Sequence, residues 1–252
     1  MSKVRLLQGD CNDLFEKIED NSIDLVITDP PYGVEYSVGF DDSLEYVQSN
    51  IEFWLKQMYR VLKEGSHCYI FIPTRQAGLW LSQVQKVFTF NNILTVRNYT
   101  ASHYSKNNFQ YNSQLIVYCS KGTPKNLNPY DFFKTSESWL NDNRNKNPNP
   151  YTYSYPAFID NCFANVKKTR SKQGNGHPCA KNPDLLRFLV NVSSNPEDVV
   201  FDPFMGGGSS GLTALDELRG FVGFEKNLEY FNTLKGQFES VAVWRDTTIR
   251  YD

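Results

Sequence analysis

Short β-branched apolar runs alternate with longer amphipathic stretches along most of the chain. "KVRLLQGD" predicts a short first strand, and "IDLVITD", residues 23–29, a second, buried one. From Ser43 onward apolar residues recur at Leu44, Val47, Ile51, Trp54, Leu55, Met58, Val61 and Leu62. That spacing predicts a helix with Ser43 as N-cap and Gly65 just past its last turn. "HCYIFIP" predicts a strand stopped by proline, "LWLSQVQKVF" a helix, and "NILTVRNYT" and "SQLIVYCSK" two further strands. Between Gly122 and Gly176 no period persists, and Asn and Pro accumulate in "NDNRNKNPNPYTYSYP". Order returns with Asn182 as N-cap and Pro183 at the first helical position. "VVFDPFMGGGSSG" then predicts a strand entering a glycine turn, "SSGLTALDEL" a helix, "FVGFE" a strand and "NLEYFNTLKGQF" a last helix. Alternating strands and helices favour a mostly parallel sheet. The unpatterned segment is too short to bury much core alone, so the chain divides into 1–121, an insertion 122–176, and 177–252.

Bulk composition narrows the options. The chain has 252 residues, 40% hydrophobic and 21% charged, in the range of one α/β domain with an insertion. Net charge is −2, so contact with nucleic acid needs a local basic patch. Lys167, Lys168, Arg170 and Lys172 form such a run, which reads either as a solvated loop or as a contact to a DNA backbone. Aromatics reach 15%, a surplus that fills cores or stacks on a ligand. Five scattered cysteines without C-x-x-C spacing, and three distant histidines, argue against a metal site and a disulfide framework. They favour a reducing, cytoplasmic setting. No apolar run approaches membrane-spanning length, and the first residues carry no signal-peptide core.

Two motifs carry chemistry. Pro30 and Pro31 cannot donate to a sheet ladder, so the second strand ends at Asp29. An ordinary strand exit needs neither the second proline nor Tyr32. The stiff turn offers a carboxylate, a main-chain carbonyl of fixed aim and an aromatic ring, at the strand end where open α/β sheets bind ligands. Further on, Gly206, Gly208 and Gly211 satisfy G-x-G-x-x-G between a strand and a helix, with Glu225 at the end of the next strand. That spacing allows close approach of a ligand to the backbone and an acid for ribose hydroxyls. Asp202 and Phe204 precede the glycines, and a carboxylate there repels a pyrophosphate. It suits a nucleoside ligand bearing an ammonium, such as S-adenosylmethionine, whose carboxylate the N–H groups of Ser209 and Ser210 could hold.

With both motifs in view, the chain resembles the DNA amino-methyltransferases that act on exocyclic base nitrogens. "DPPY", Asp29–Tyr32, looks like their catalytic motif, and "DPFMGGGSSG", Asp202–Gly211, like their cofactor motif. The order, catalytic motif first, is similar to the β class, as are "QGDCNDLF" around Asp10 and "HPCAKNPDLL", His177–Leu186. "GGGSS" departs from the more frequent Gly-Ser-Gly-Thr-Thr, and Asn182 stands where a Lys-Pro pair is usual, which weakens the case for a ligand role of Lys181. The resemblance implies a doubly wound, circularly permuted α/β fold of the Rossmann-like methyltransferase type. It implies a seven-stranded mixed sheet with one antiparallel strand, 122–176 being the target-recognition region.

It also implies site-specific transfer of methyl from S-adenosylmethionine to adenine N6 in double-stranded DNA. Asp29 and the Pro30 carbonyl would accept the amine's hydrogens, and Tyr32 would stack on a flipped-out base. Asp10 would contact the cofactor's adenosine and Glu225 its ribose. A second copy of the chain and a cognate restriction endonuclease are the protein partners such a resemblance brings. Cytosine N4 is the nearest alternative target, followed by a non-catalytic DNA-binding scaffold. Cytosine-C5 chemistry through Cys179 leaves the "DPPY" motif unexplained; a nicotinamide oxidoreductase is the remaining option, which a binding titration of NAD against S-adenosylmethionine separates.

Overall fold

The computed structural model describes residues 3–34, 42–97, 113–128, 158–159, 181–245 and 247–252. The strands are β1 (Lys3–Gln8), β2 (Ile23–Thr28), β3 (Leu62–Ile72), β4 (Thr89–Arg97), β5 (Ser113–Ser120), β6 (Phe158–Ile159), β7 (Val199–Asp202), β8 (Gly220–Glu225) and β9 (Thr248–Tyr251). The α-helices are α1 (Cys11–Leu14), α2 (Leu44–Val61), α3 (Ala77–Val87), α4 (Pro183–Ser193), α5 (Ser209–Asp216) and α6 (Leu228–Arg245). All the strands among the described residues join one sheet in the order β6-β4-β5-β3-β2-β7-β8-β1-β9. β5 runs antiparallel to β3 and β4, while the other pairs are parallel. The seven strands from β4 to β1, with one reversed, are the expected mixed sheet. β6 and β9 add a short strand at each edge, the first only two residues long.

Alternation along the strands builds two cores, one on each face of the sheet. Leu25 and Ile27 of β2 pack with α4, α5 and α6. Ile23 and Val26 face the other way, onto α1, α2 and α3. Helix α2 supplies Val47, Ile51, Trp54, Leu55, Met58 and Val61, each no more than 1% exposed. Burial of each such side chain contributes about 1.5–3 kcal/mol relative to exposure.

Ser43 caps α2 as expected, accepting from the Tyr46 N–H, and Asn182 caps α4, accepting from the Asp184 N–H. Gly65 is not a helix terminator. Helix α2 ends at Val61 and runs directly into β3, where Leu62 pairs with Ile23. Gly65 lies inside β3 at φ +73, and its N–H bonds the Lys121 carbonyl at 2.8 Å. The pairing of β3 with both neighbours outweighs the local C-cap signal.

The strand order sets the site. β2 and β7 are far apart in sequence but adjacent in the sheet, with Val26 beside Phe201. Their carboxyl ends, each continuing into Asp-Pro, therefore open at the same point on the sheet's rim.

Candidate active site

Asp29 follows the last residue of β2, and the two prolines after it stop the ladder. Its carboxylate is half-buried and engaged on both oxygens. The Tyr32 hydroxyl donates to Oδ1, and the Lys181 ammonium pairs with Oδ2. Lys181 Nζ also lies 3.3 Å from the Tyr32 hydroxyl, 5.6 Å from the centre of its ring and 5.1 Å from that of Phe71. Lys181 precedes the N-cap of α4 and reaches the acid from the opposite half of the fold. The sequence assigned it no role, because Asn182 breaks the motif that would have marked it.

Asp202 ends β7 and is 4% exposed. Thr28 Oγ1 donates to its Oδ1 at 2.8 Å, the Phe204 N–H to the same oxygen at 3.0 Å, and Ser210 Oγ to Oδ2 at 2.6 Å. Burial pushes its pKa up to about 6, against the pull of these hydrogen bonds, and the nearby Asp29 charge adds to the rise. The carboxylate thus ties the end of β2 to the turn after β7. Each carboxylate oxygen offers about two acceptor positions, so Oδ2 retains capacity for a ligand cation.

In the glycine turn, Gly206 adopts φ +48 and Gly208 φ +73. Gly208 is the N-cap of α5 and has no side chain to satisfy the first amides of that helix. A Cβ on Gly208 would stand 2.5 Å from Leu234 Cδ2, and one on Gly211 2.5 Å from the rings of Phe221 and Phe238. Those two glycines serve close packing of the helix, whereas Gly206 and Gly207 face the site.

Glu225 ends β8 and is 9% exposed. Burial raises its pKa to about 7, opposed by hydrogen bonds from the backbone of Asn227 and Gly206. Asp10 is the N-cap of α1, its Oδ1 accepting from the Asn12 N–H at 2.9 Å and its Oδ2 pairing with Lys226 at 2.8 Å. Burial raises the Asp10 pKa, but the Lys226 ammonium and the Asn12 N–H outweigh it and the net shift is downward. Phe204 packs edge-on against Trp54 with ring centres 4.9 Å apart. The Trp54 indole N–H donates to Asn12 Oδ1 at 2.8 Å, which holds that wall.

Asp29, Pro30, Tyr32, Asp202, Phe204, Gly206, Ser209, Ser210 and Glu225 line one cavity of about 380 Å³. Asp10 and Gly208 are not among its walls; Gly9, Cys11, Tyr46, Lys181 and Gly207 are. A pocket of this size suits a nucleoside-sized ligand. The exposed glycine backbone, the uncapped start of α5 and the buried acid at the end of β8 fit the amino-acid and ribose portions of S-adenosylmethionine. Lys167, Lys168, Arg170, Lys172 and Cys179 lie outside the described residues. Among the described residues no three His, Cys, Asp or Glu side chains gather as for a metal ion, and no helix is long and apolar enough to cross a membrane.

Two strand-end motifs share one cavity at the switch point of a doubly wound sheet, the place where such sheets bind nucleotide-type ligands. A family model described as DNA methylase, for N6 and N4 methyltransferases, matches residues 23–236, and the chain belongs to that family. It is therefore a DNA methyltransferase. The chain is similar to the DNA adenine methyltransferase YhdJ of Escherichia coli (strain K12), with 28% identity over 89% of this chain and 79% of the relative. Its fold is similar to that of the cytosine-N4-specific PvuII DNA methyltransferase, with a TM-score of 0.69, 19% identity and coverage of 98% of this chain and 93% of that one. It is also similar in fold to M1.HpyAVI in complex with SAM, with a TM-score of 0.63, 18% identity and coverage of 93% and 99%. S-adenosylmethionine, the donor expected from the sequence, is the ligand of that complex.

Proposed function

We propose that the chain methylates the N6 amine of adenine in DNA, with S-adenosylmethionine as methyl donor. The observation that carries this reading is the shared cavity: the Asp29-Pro30-Pro31-Tyr32 turn and the glycine turn after β7 open on the same space. When bound, the cofactor supplies an electrophilic methyl group on sulfonium, with a neutral thioether as leaving group. Gly206, Gly207, Ser209 and Ser210 would hold its amino-acid end and Glu225 its ribose.

The adenine amine is a poor nucleophile because its lone pair is delocalised into the ring. Asp29 accepts one of its N–H groups and the Pro30 carbonyl the other, which favours a tetrahedral nitrogen with its lone pair free. Positive charge developing on nitrogen then meets acceptors already in place. Tyr32 and Lys181 occupy one position on each Asp29 oxygen, and the second lone pair of either remains for the amine. The Tyr32 ring stacks on the base. Extrusion of that base costs a few kcal/mol, and an aromatic face returns about 1–3 kcal/mol. Asp29, where the cytosine-N4 enzymes more often carry Ser, favours adenine. Residues 122–176 serve as the target-recognition region, with Lys167, Lys168, Arg170 and Lys172 on DNA phosphates, contacts that position without selecting sequence.

The test is expression in a host whose DNA lacks methylation, followed by sequencing that reports modified bases. The expected outcome is N6-methyladenine in one sequence word, absent when Asp29→Ala is expressed, while calorimetry shows cofactor binding by Asp29→Ala nearly unchanged. N4-methylcytosine at that word would overturn the base assignment. Unmodified DNA from a folded, expressed chain would overturn the reading as a whole.

A further inference from the structure

Asp42 carries a charged side chain only 5% exposed, immediately before the N-cap of α2. Its Oδ1 accepts the Tyr32 N–H at 2.6 Å and the Gly33 N–H at 2.8 Å. Gly33 sits at φ +70, and a Cβ there would stand 3.1 Å from Leu44 Cα. Two consecutive amides converging on one anionic oxygen, the second from a left-handed residue, form a backbone nest of the kind that binds anions. Here the chain fills that nest with its own carboxylate. Asp42, Ser43 and Leu44 then bring the start of an 18-residue helix against the turn that follows Pro31.

We infer that Asp42 is a positioning residue for methyl transfer: its carboxylate fixes the Tyr32–Gly33 backbone and thereby the Tyr32 ring and the Pro30 carbonyl. The inference rests on the methyl-transfer reading and deepens it. The prolines make the turn stiff but give it no hydrogen bond of its own, since neither has an N–H. Tyr32 supplies the first amide after them, and Asp42 holds it. Without that anchor the peptide between Tyr32 and Gly33 can rotate, and a misplacement of about 1 Å at the reacting groups costs on the order of a hundredfold in rate. Asp42 is among the walls of the cavity, but the bonds of its Oδ1 go to the Tyr32 and Gly33 amides, on the catalytic turn, so cofactor affinity should change little without it.

Three variants test this. Asp42→Ala empties the nest. Asp42→Asn keeps a neutral acceptor of the same shape. Asp42→Glu keeps the charge but shifts it by one methylene. Transfer of labelled methyl to unmethylated DNA should fall about a hundredfold in kcat for Asp42→Ala, with the S-adenosylmethionine Kd within twofold of the parent. Asp42→Asn should fall less, and formate should restore part of the Asp42→Ala rate by entering the nest. Hydrogen exchange supplies a readout independent of activity. In the run Asp29–Gly33 only Asp29, Tyr32 and Gly33 carry exchangeable amides. Exchange there should quicken at least tenfold in Asp42→Ala while β2 stays protected. If Asp42→Ala does not fold, the same comparison is made with Asp42→Asn and Asp42→Glu. Unchanged exchange at Tyr32 and Gly33, or a fall in kcat matched by an equal loss of cofactor affinity, overturns the inference. Absence of transfer by the parent chain is a failure of the methyl-transfer reading instead, and leaves the exchange result to decide the clamp.

Discussion

Glu225 shows how burial tunes a single residue of this site. Taken out of water at the end of β8, its carboxyl has a pKa pushed up to about 7, so near neutrality it is part protonated. In its proposed role as acceptor for ribose hydroxyls it works best ionised. Binding should therefore release a proton below that pKa, and affinity should fall as pH falls. Calorimetric titration with S-adenosylmethionine should give a Kd about tenfold weaker at pH 6 than at pH 8. Glu225→Gln, which cannot ionise, should bind more weakly at pH 8 and show no such dependence. A Kd of the parent that is flat over this range would overturn the proposed contact of Glu225 with the cofactor. Lys181 makes a related point: a cation that reaches Asp29 from the start of α4 offsets part of the negative charge that Asp29, Asp42, Asp202 and Glu225 bring to the cavity.

At the scale of the element, the turn between β7 and α5 depends on how closely helix and sheet approach. Gly211 lies in the first turn of α5, under the rings of Phe221 on β8 and Phe238 on α6. Both rings are fully buried and stacked on each other at 5.8 Å. A methyl group at Gly211 would meet each ring at 2.5 Å, so one of these two buried rings or the helix must shift. Gly211→Ala should thus destabilise the protein by about 1–3 kcal/mol through overpacking, read as a lower urea midpoint at unchanged slope. It should also tilt α5 and weaken cofactor binding. A midpoint equal to that of the parent would mean the helix can shift at no cost, and would separate packing from the requirement for glycine at this turn.

Across the whole molecule, stability against pH depends on a buried group outside the cavity wall as well as on the acids within it. His67 in β3 is 2% exposed, its Nδ1 is 3.0 Å from the Tyr118 hydroxyl, and burial lowers its pKa to about 4, with the Lys125 charge adding to the fall. In the unfolded chain a histidine takes its proton near pH 6.5. Between those values the unfolded state binds more protons, so this contribution to stability is complete above about pH 6.5 and is lost as pH falls toward 4. Asp202 and Glu225 act in the opposite sense over part of the window, since the folded state protonates them first. A difference measurement isolates the histidine. His67→Gln should be less destabilising at pH 5 than at pH 7, by about 2 kcal/mol in urea unfolding. An equal cost at both pH values would mean that His67 gains its proton without unfolding.

The sequence by itself determined the alternation of strands and helices, the cap residues of α2 and α4, and the two strand-end motifs. Those features rest on properties of contiguous residues: a proline's missing N–H, a glycine's access to positive φ, the apolar period of a buried face. It did not show β6, β9 or α1, which are two to four residues long and carry no period to read. It also led to Gly65 as a helix terminator, where strand pairing took precedence. Only the tertiary structure decided which groups hold the site in place. Thr28 meets Asp202 across 174 residues, Lys181 reaches Tyr32 across 149, and the Asp42 carboxylate meets the Tyr32 N–H across 10. Such contacts depend on β2 lying beside β7 and on α2 beginning against the turn. That order is set by the summed burial of two cores on opposite faces of one sheet, a quantity no short stretch of sequence contains.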